Sequence, residues 1–311
     1  MIRIYIIKND EIFDVSGLAS DISWKYDIDG IAGELTFSLV SAEFGTGNVV
    51  VLKDKNKEVF RGIIVSEEGK EQKSFTCLDF GWYLSKNEII VQFKDITVYQ
   101  AVLHVMNKFG IPTELPDNLK NVKVTKIYKD VTVADILRDL LDFATLTTNN
   151  RYYMRMFSGV LAIRTYHRET IPIYGVGVDY SYGKSIENMY NKVLVVANEE
   201  ESQVVYAELD DKESIKKYGM LQLIETAEAD DMSQAKNLAK NKLKEVNKIE
   251  ENLSLNCIGN YDLVPGRKVS IENLELKDTY VIKDVTHVYN SEEDYFCDLT
   301  LERWSTFVNS Y

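Results

Sequence analysis

The sequence predicts an α+β protein rich in β structure, built as two β-barrel-like modules with a small α/β domain between them. Three observations lead there. Short alternating strands fill the first 90 residues, and similar strands return after residue 250. Two capped amphipathic helices stand 35 residues apart in the middle of the chain. Turn residues break the β-rich parts at regular intervals, as hairpins require. The boundaries drawn from these patterns are 1–90 for the first β module, 91–185 for the α/β part and 186–311 for the second β module with one long helix.

The first module opens on Met1-Ile-Arg-Ile-Tyr-Ile-Ile7, a strand too short and too soon charged to be a signal peptide. Ile22–Tyr26 leads through an Asp29-Gly30 turn to Glu34-Leu-Thr-Phe-Ser-Leu39, a clean alternation of period two. Val49–Leu52, Val59–Val65 and Ser74–Leu78 follow, separated by polar turns. The order strand, charged turn, strand, polar turn, strand, tryptophan in 49–82 returns in 262–304, closing on Trp82 and Trp304. It reads as an internal duplication of a β module; convergent hairpin patterning is the alternative.

The α/β part carries the sharper repeat. Lys94-Asp-Ile-Thr-Val98 and Lys129-Asp-Val-Thr-Val133 each open a helix. Val98, Val102, Val105, Met106 and Phe109 form one apolar face; Val133, Leu137, Leu140, Leu141 and Ala144 form the other at the same offsets. Thr97 with Gln100 and Thr132 with Asp135 have the spacing of N-caps with a partner at the third helical position. Gly110 and Pro112 stop the first helix. A hairpin follows, Tyr152–Met156 and Val160–Ile163, turning at Ser158-Gly159. Residues 166–190 read as a linker or irregular excursion.

Strands resume at Lys192–Val196, Val204–Leu209 and Met220–Ile224, and a third helix is expected over 233–249. Asp230 and Asp231 sit at its positive end and Lys240, Lys242, Lys244 and Lys248 towards its negative end. Its buried stripe is Ala235, Leu238, Ala239, Leu243 and Val246. Leu253–Ile258 then enters the Pro265-Gly266 corner, the strand to Ile271, and the hairpin of 279–287 and 296–304.

A formal charge of −13 opposes a nucleic-acid grip, which needs clustered Lys and Arg, and opposes adsorption to anionic lipid. No apolar run approaches the length of a membrane span. Cys77, Cys257 and Cys297 are in phase with apolar neighbours on strands, so they read as small buried hydrophobes in a reducing compartment.

Nothing in the sequence assembles a catalytic, cofactor or metal site. His104, His167 and His287 lack the spacing of zinc ligands and read as structural. A Cys-His nucleophile would need one of them beside a cysteine, and every cysteine points into a core. Gly45-Thr-Gly47 and Gly175-Val-Gly177 do not join a parallel strand to a helix, so they read as turns rather than phosphate loops. Asp210-Asp211 and Asp230-Asp231 lie where turns and helix starts favour aspartate. Arg151, Arg155, Arg164 and Arg168 alternate with Tyr152, Tyr153 and Tyr166. That basic-aromatic cluster matches single-strand stacking in type, but the overall acidity favours a protein-facing hairpin.

Trp24, Gly33-Glu-Leu-Thr-Phe-Ser-Leu39, the paired capped helices, Asp211-Lys-Glu-Ser-Ile-Lys-Lys-Tyr-Gly219, the 233–249 helix and Asp262-Leu-Val-Pro-Gly266 follow one another in this order. Together they resemble the baseplate hub protein of contractile phage tails and phage-tail-like bacteriocins (tailocins), of the kind found in defective prophages of Gram-positive bacteria. The resemblance implies a structural virion component: a homotrimeric ring adapting the hexameric tail tube to the central trimeric spike. It implies contacts with tail tube protein, spike protein, other baseplate proteins of wedge or LysM type, and a tape-measure protein. It implies no cofactor, no catalytic residue, no specific nucleic acid and no membrane anchor, in a protein made in the bacterial cytoplasm. The alternative is a tail-associated cell-wall hydrolase.

Overall fold

The computed structural model describes residues 2–40, 43–148, 150–166, 169–174, 179–197, 205–227, 232–272 and 277–309. The chain divides into two compact units, Met1–Tyr180 with Ser254–Leu301, and Ser181–Leu253 with Glu302–Tyr311. His167, Arg168, the Gly175-Val-Gly177 turn and the Asp230-Asp231 pair lie outside the described residues.

In chain order the elements begin with β1 (Ile2–Lys8), β2 (Glu11–Asp14), β3 (Ala19–Asp27), β4 (Glu34–Leu39), β5 (Val49–Asp54), β6 (Lys57–Gly69), β7 (Lys73–Asp79) and the short helix α1 (Gly81–Lys86). The α/β part contains β8 (Glu88–Thr97), α2 (Val98–Lys108), β9 (Thr113–Glu114), β10 (Lys123–Thr132), α3 (Val133–Thr148), β11 (Tyr152–Phe157), β12 (Val160–Thr165) and β13 (Thr170–Tyr174). Then come β14 (Asp179–Ser185), β15 (Lys192–Ala197), β16 (Val205–Asp210), α4 (Lys212–Tyr218), β17 (Gln222–Ala227) and α5 (Met232–Val246). The chain ends with β18 (Glu250–Ile258), β19 (Lys268–Glu272), β20 (Thr279–Tyr289), β21 (Tyr295–Arg303) and α6 (Trp304–Asn309).

The β-rich α+β class is the one the sequence predicts. One continuous sheet runs β18-β21-β20-β3-β4-β7-β6-β5-β1-β2. Its two halves repeat one spatial order: β4-β7-β6-β5 in the first and β18-β21-β20-β19 in the second. Each meander leads into a short helix carrying a tryptophan, Trp82 in α1 and Trp304 at the start of α6. This agreement supports an internal duplication. The halves join edge to edge through β3 and β20, with Trp24 opposite His287. None of the sheets closes on itself among the described residues; pairing β3 with β20 instead satisfies two edges that would otherwise expose unpaired backbone. The first half packs around Ile4, Ile6, Trp24, Leu35, Phe37, Leu52, Phe60 and Phe75.

The 35-residue repeat extends into the strands that precede the helices. β8 and β10 pair antiparallel about a local twofold: Thr97 faces Lys123 and Thr132 faces Glu88, the same pair displaced by 35 in each chain direction. Both Lys-Asp pairs sit at irregularities in this ladder, and Asp95 and Asp130 share a left-handed backbone at φ 51° and 54°. The Lys-Asp pairs therefore shape the strand ends, and the helices start at Val98 and Val133. Thr97 and Gln100 complete a capping box on α2. The Thr132 hydroxyl accepts from the Asp135 N–H at 3.1 Å. Beneath the helices, Val102, Val105, Leu137 and Leu140 are fully buried with Phe93 and Val124 of the ribbon.

Residues 166–190 are more regular than expected. Thr170–Tyr174 forms β13, paired in parallel with β19 from Thr170↔Lys268 to Tyr174↔Glu272. A proline signals a break in sequence, but β13 pairs with β19 alone, and an edge strand tolerates the missing N–H of Pro172.

In the second unit, β15 pairs antiparallel with β16 and parallel with β17. Val193 and Val195 pack under Ala235 and Ala239 of α5. Leu238, expected in the buried stripe, is 36% exposed. The Asp211–Gly219 motif is a capped helix: the Asp211 carboxylate accepts from the N–H groups of Glu213 and Ser214, both at 3.0 Å. Gly219 ends the helix at φ +83°. Buried Asn191 ties the ends together, donating to the Gly219 carbonyl at 2.7 Å and accepting from Leu221 N–H at 2.8 Å.

Gly266 at the Pro-Gly corner has φ +80°, and a Cβ there would lie 3.1 Å from the Tyr153 ring. Its N–H donates to the Ile282 carbonyl at 2.9 Å. Gly266→Val is expected to lower stability by about 1–3 kcal/mol; an unchanged urea midpoint would show that the corner tolerates a side chain.

Candidate functional site

One concavity of the first unit is a cleft of about 500 Å³. Four walls build most of it, with Glu114 of β9 and His287 of β20 completing the lining. Trp24 and Tyr26 come from β3, Lys57, Glu58 and Val59 from β6, and Tyr261, Asp262, Val264 and Arg267 from the segment between β18 and β19. The fourth wall is the β11–β12 hairpin, whose two faces do different work. Tyr152, Met154, Met156, Leu161 and Ile163 pack into the α/β core. The opposite face presents the cross-strand pairs Tyr153/Arg164, Arg155/Ala162 and Phe157/Val160 to the cleft. This division follows from the two-residue period of strands. Ser158 at φ 48° and Gly159 at φ 79° form the tight turn that holds the register.

Charge in the cleft is mostly paired. Lys57 Nζ lies 3.1 Å from Asp262 Oδ1 and 4.1 Å from the centre of the Tyr261 ring. Glu58 receives both 2.8 and 2.7 Å bonds from Arg61, and Arg164 pairs with Glu114. Two guanidinium groups remain. Arg155 lies over the rings of Tyr26 and Phe157, each at 5.6 Å, and its charge acts on the buried Asp79 carboxyl without a direct ion pair. Arg267 approaches the exposed Glu169 only at 3.8 Å, and its Nε is buried without an acceptor.

Behind the cleft lies an encounter that sequence reasoning missed. His287 is 1% exposed and stacks on Trp24 at 4.7 Å between ring centres, 7° from parallel. Its Nδ1 is 2.9 Å from the Tyr295 hydroxyl and 3.1 Å from Cys297 Sγ. Cys297 is buried as expected, and the contact arises because β20 and β21 are neighbours in the sheet. Burial pushes the imidazole down to about 3 and the thiol up to about 11. Both shifts oppose the formation of a thiolate–imidazolium pair. The geometry is that of a neutral buried network: the Tyr295 hydroxyl and the Cys297 thiol both lie within hydrogen-bonding reach of Nδ1 and bond each other, and the ring also bonds the Leu263 backbone. The arrangement lacks an activated nucleophile.

The other expected residues are dispersed. His104 meets the Phe93 ring edge-on at 6.2 Å, beside the α2 core. Cys77 and Cys257 are buried, their thiols also raised by burial, Cys257 to about 12. Gly47 is a turn residue at φ +90°. Arg151 lies over the Tyr166 ring at 6.0 Å, and among the described members of the arginine cluster Arg155 and Arg164 line the cleft. Among the described residues, no group of three His, Cys, Asp or Glu is placed to hold a metal ion. No helix among them is long and apolar enough to cross a membrane.

A family model described as YQBQ-like matches residues 22–302, almost the whole chain. The chain belongs to the YQBQ-like family. Its relatives include YqbQ of Bacillus subtilis, 29% identical over 78% of this chain and 77% of that protein. XkdQ of the phage-like element PBSX, from the same organism, is 27% identical over 83% and 81%. Among solved structures, a tail protein from Neisseria meningitidis has the same fold, with a TM-score of 0.74 at 13% identity over 99% of this chain and 98% of that one. The family match spans both β halves and the repeat between them, including every wall of the cleft.

Proposed function

We propose that the chain is a structural component of a phage tail or tail-like particle, and within it the baseplate hub. Three copies form a ring that joins the hexameric tail tube to the central trimeric spike. The observation that carries this reading is the duplicated strand order β4-β7-β6-β5 and β18-β21-β20-β19 in a chain with the fold of a tail protein. Two similar modules per chain let a threefold ring offer six similar sites to a sixfold tube. The parts 1–90 and 186–311 supply the modules, and 91–185 faces other baseplate proteins, of wedge or LysM type.

The charge fits the same role. Three copies carry 3 × −13 = −39, and acidic residues facing a central channel keep DNA or a tape-measure protein from adhering. The hub takes no cofactor, grips no specific nucleic acid, and needs no membrane anchor and no catalytic residue. A cell-wall hydrolase would have to draw on the His287–Cys297 contact, whose burial and neutrality oppose nucleophilic chemistry.

Native mass measurement of the purified protein is expected to give three times 35.7 kDa, with co-purification of tube and spike proteins when these are co-expressed. A monomer that captures neither would overturn the hub reading. Clearing of peptidoglycan by the purified protein in a zymogram would favour the hydrolase.

A further inference from the structure

The accounting of charge in the cleft leaves a surplus. Lys57, Arg61 and Arg164 are each matched by a carboxylate, Asp262, Glu58 and Glu114 in turn. Arg267 has only the looser 3.8 Å pair with exposed Glu169, and Arg155 makes no ion pair within 4 Å, although its charge acts on the buried Asp79 carboxyl. Arg155 is held over two aromatic rings, and Arg267 keeps a buried Nε–H with no acceptor. A buried donor without a partner is costly to maintain, and such groups are rare in folded proteins. Here it belongs to a side chain lining a concave site, and the left-handed Gly266 immediately precedes it. Arg155, Arg164 and Arg267 all line the cleft with Tyr153, so three guanidinium groups border one concave space.

We propose that this cleft is a docking site for a carboxylate side chain, presented by an acidic segment of another protein of the particle. The planar fork of a guanidinium matches a carboxylate with two parallel bonds, and Arg155 offers such a fork here, with the terminal nitrogens of Arg267 in the same lining. The paired carboxylates Glu58, Glu114 and Asp262 surround the same space and disfavour a dianion, so a monoanionic carboxylate suits the site better than phosphate. Tyr26 and Phe157 give the methylene stem of a glutamate an apolar surface. The volume of about 500 Å³ admits a few side chains rather than a folded element. In a chain of net charge −13, this cationic spot would orient an acidic partner that the rest of the surface repels.

The choice of a protein segment over a free metabolite rests on the structural role proposed above; the carboxylate chemistry rests on the cleft alone. Fluorescence anisotropy of the full chain with a labelled hexaglutamate peptide at low salt tests it. Binding is expected, weakened at least tenfold by Arg155→Gln and by Arg267→Gln, and unchanged by Lys86→Gln, which removes one exposed charge from α1. Thermal melting of each variant checks that it is folded, and Arg155→Gln carries the test if Arg267→Gln does not fold. Succinate as competitor separates the sources: weak competition supports a polypeptide partner, and displacement at lower concentration than the peptide overturns it in favour of a small dicarboxylate. Absence of binding, displacement by inorganic phosphate as effective as by peptide, or equal weakening by Lys86→Gln would each overturn the proposal. Because the trimer measurement uses no peptide, the hub reading and this one can fail separately.

Discussion

Replacing Trp24 with alanine is expected to destabilise the protein by about 3–5 kcal/mol. The indole is only 2% exposed and lies where β3 joins the two halves of the sheet. On one side it stacks against His287, and the Tyr295 ring lies 5.8 Å away. Truncation removes buried apolar surface and leaves a cavity beside His287, whose neutrality depends on a dry surround. Urea unfolding followed by circular dichroism, with an unchanged slope and a lowered midpoint, would register the loss. Trp24→Phe keeps an aromatic face and should recover a good part of it. A loss under about 1 kcal/mol for the alanine variant would show that the seam depends on its backbone pairing alone.

A pH dependence of opposite sign at two buried groups is the second large effect. His287 titrates at about 3 in the folded chain against 6.5 ordinarily, because burial disfavours the imidazolium. The unfolded chain therefore binds the extra proton as pH falls from 6.5 towards 3, and folded stability is lost over that window. The limiting slope is about 1.4 kcal/mol per pH unit. Asp79 behaves oppositely. Burial raises it from 3.8 to about 7, although its oxygens accept from Gly33 N–H at 2.8 Å and Gly81 N–H at 2.9 Å. Here the folded chain keeps the proton, so stability falls as pH rises from 3.8 towards 7.

The two slopes largely cancel between pH 4 and 6.5 in the native chain, and substitution uncovers them. Relative to His287→Gln, the native protein should lose stability on acidification below pH 6.5. Relative to Asp79→Asn, it should lose stability on alkalinisation through the same range. Parallel pH profiles for native and variant proteins would show that neither group titrates as its burial requires.

Local structure was legible to different depths. Glu34–Leu39 alternates so cleanly that its limits could be read directly, and the element has those limits. The capped helices, the Ser158-Gly159 turn and the order of the closing meander were legible for the same reason: each depends on neighbours within a few residues. The strands β8 and β10 were not, because their solvent-facing Lys, Glu and Asp residues obscure the alternation. Strand β13 was hidden by its proline. Among the cleft residues, Arg155, Arg164 and Tyr153 stood out in sequence as a basic-aromatic cluster. Arg267 did not, since a single arginine after a Pro-Gly corner carries no local signal.

By itself, the sequence determined the β-rich class, the 35-residue repeat with its caps and the acidic balance, and it suggested the duplicated module that the strand order supports. These follow from side-chain period, turn chemistry and charge, which act over short separations. Only the tertiary structure decided that β3 pairs with β20, that Cys297 meets His287, and that Arg155 and Arg267 line one cleft. Those outcomes depend on which distant strand edges pair and which faces are covered. Long-range pairing is selected by the packing of the whole sheet, and no local pattern encodes it.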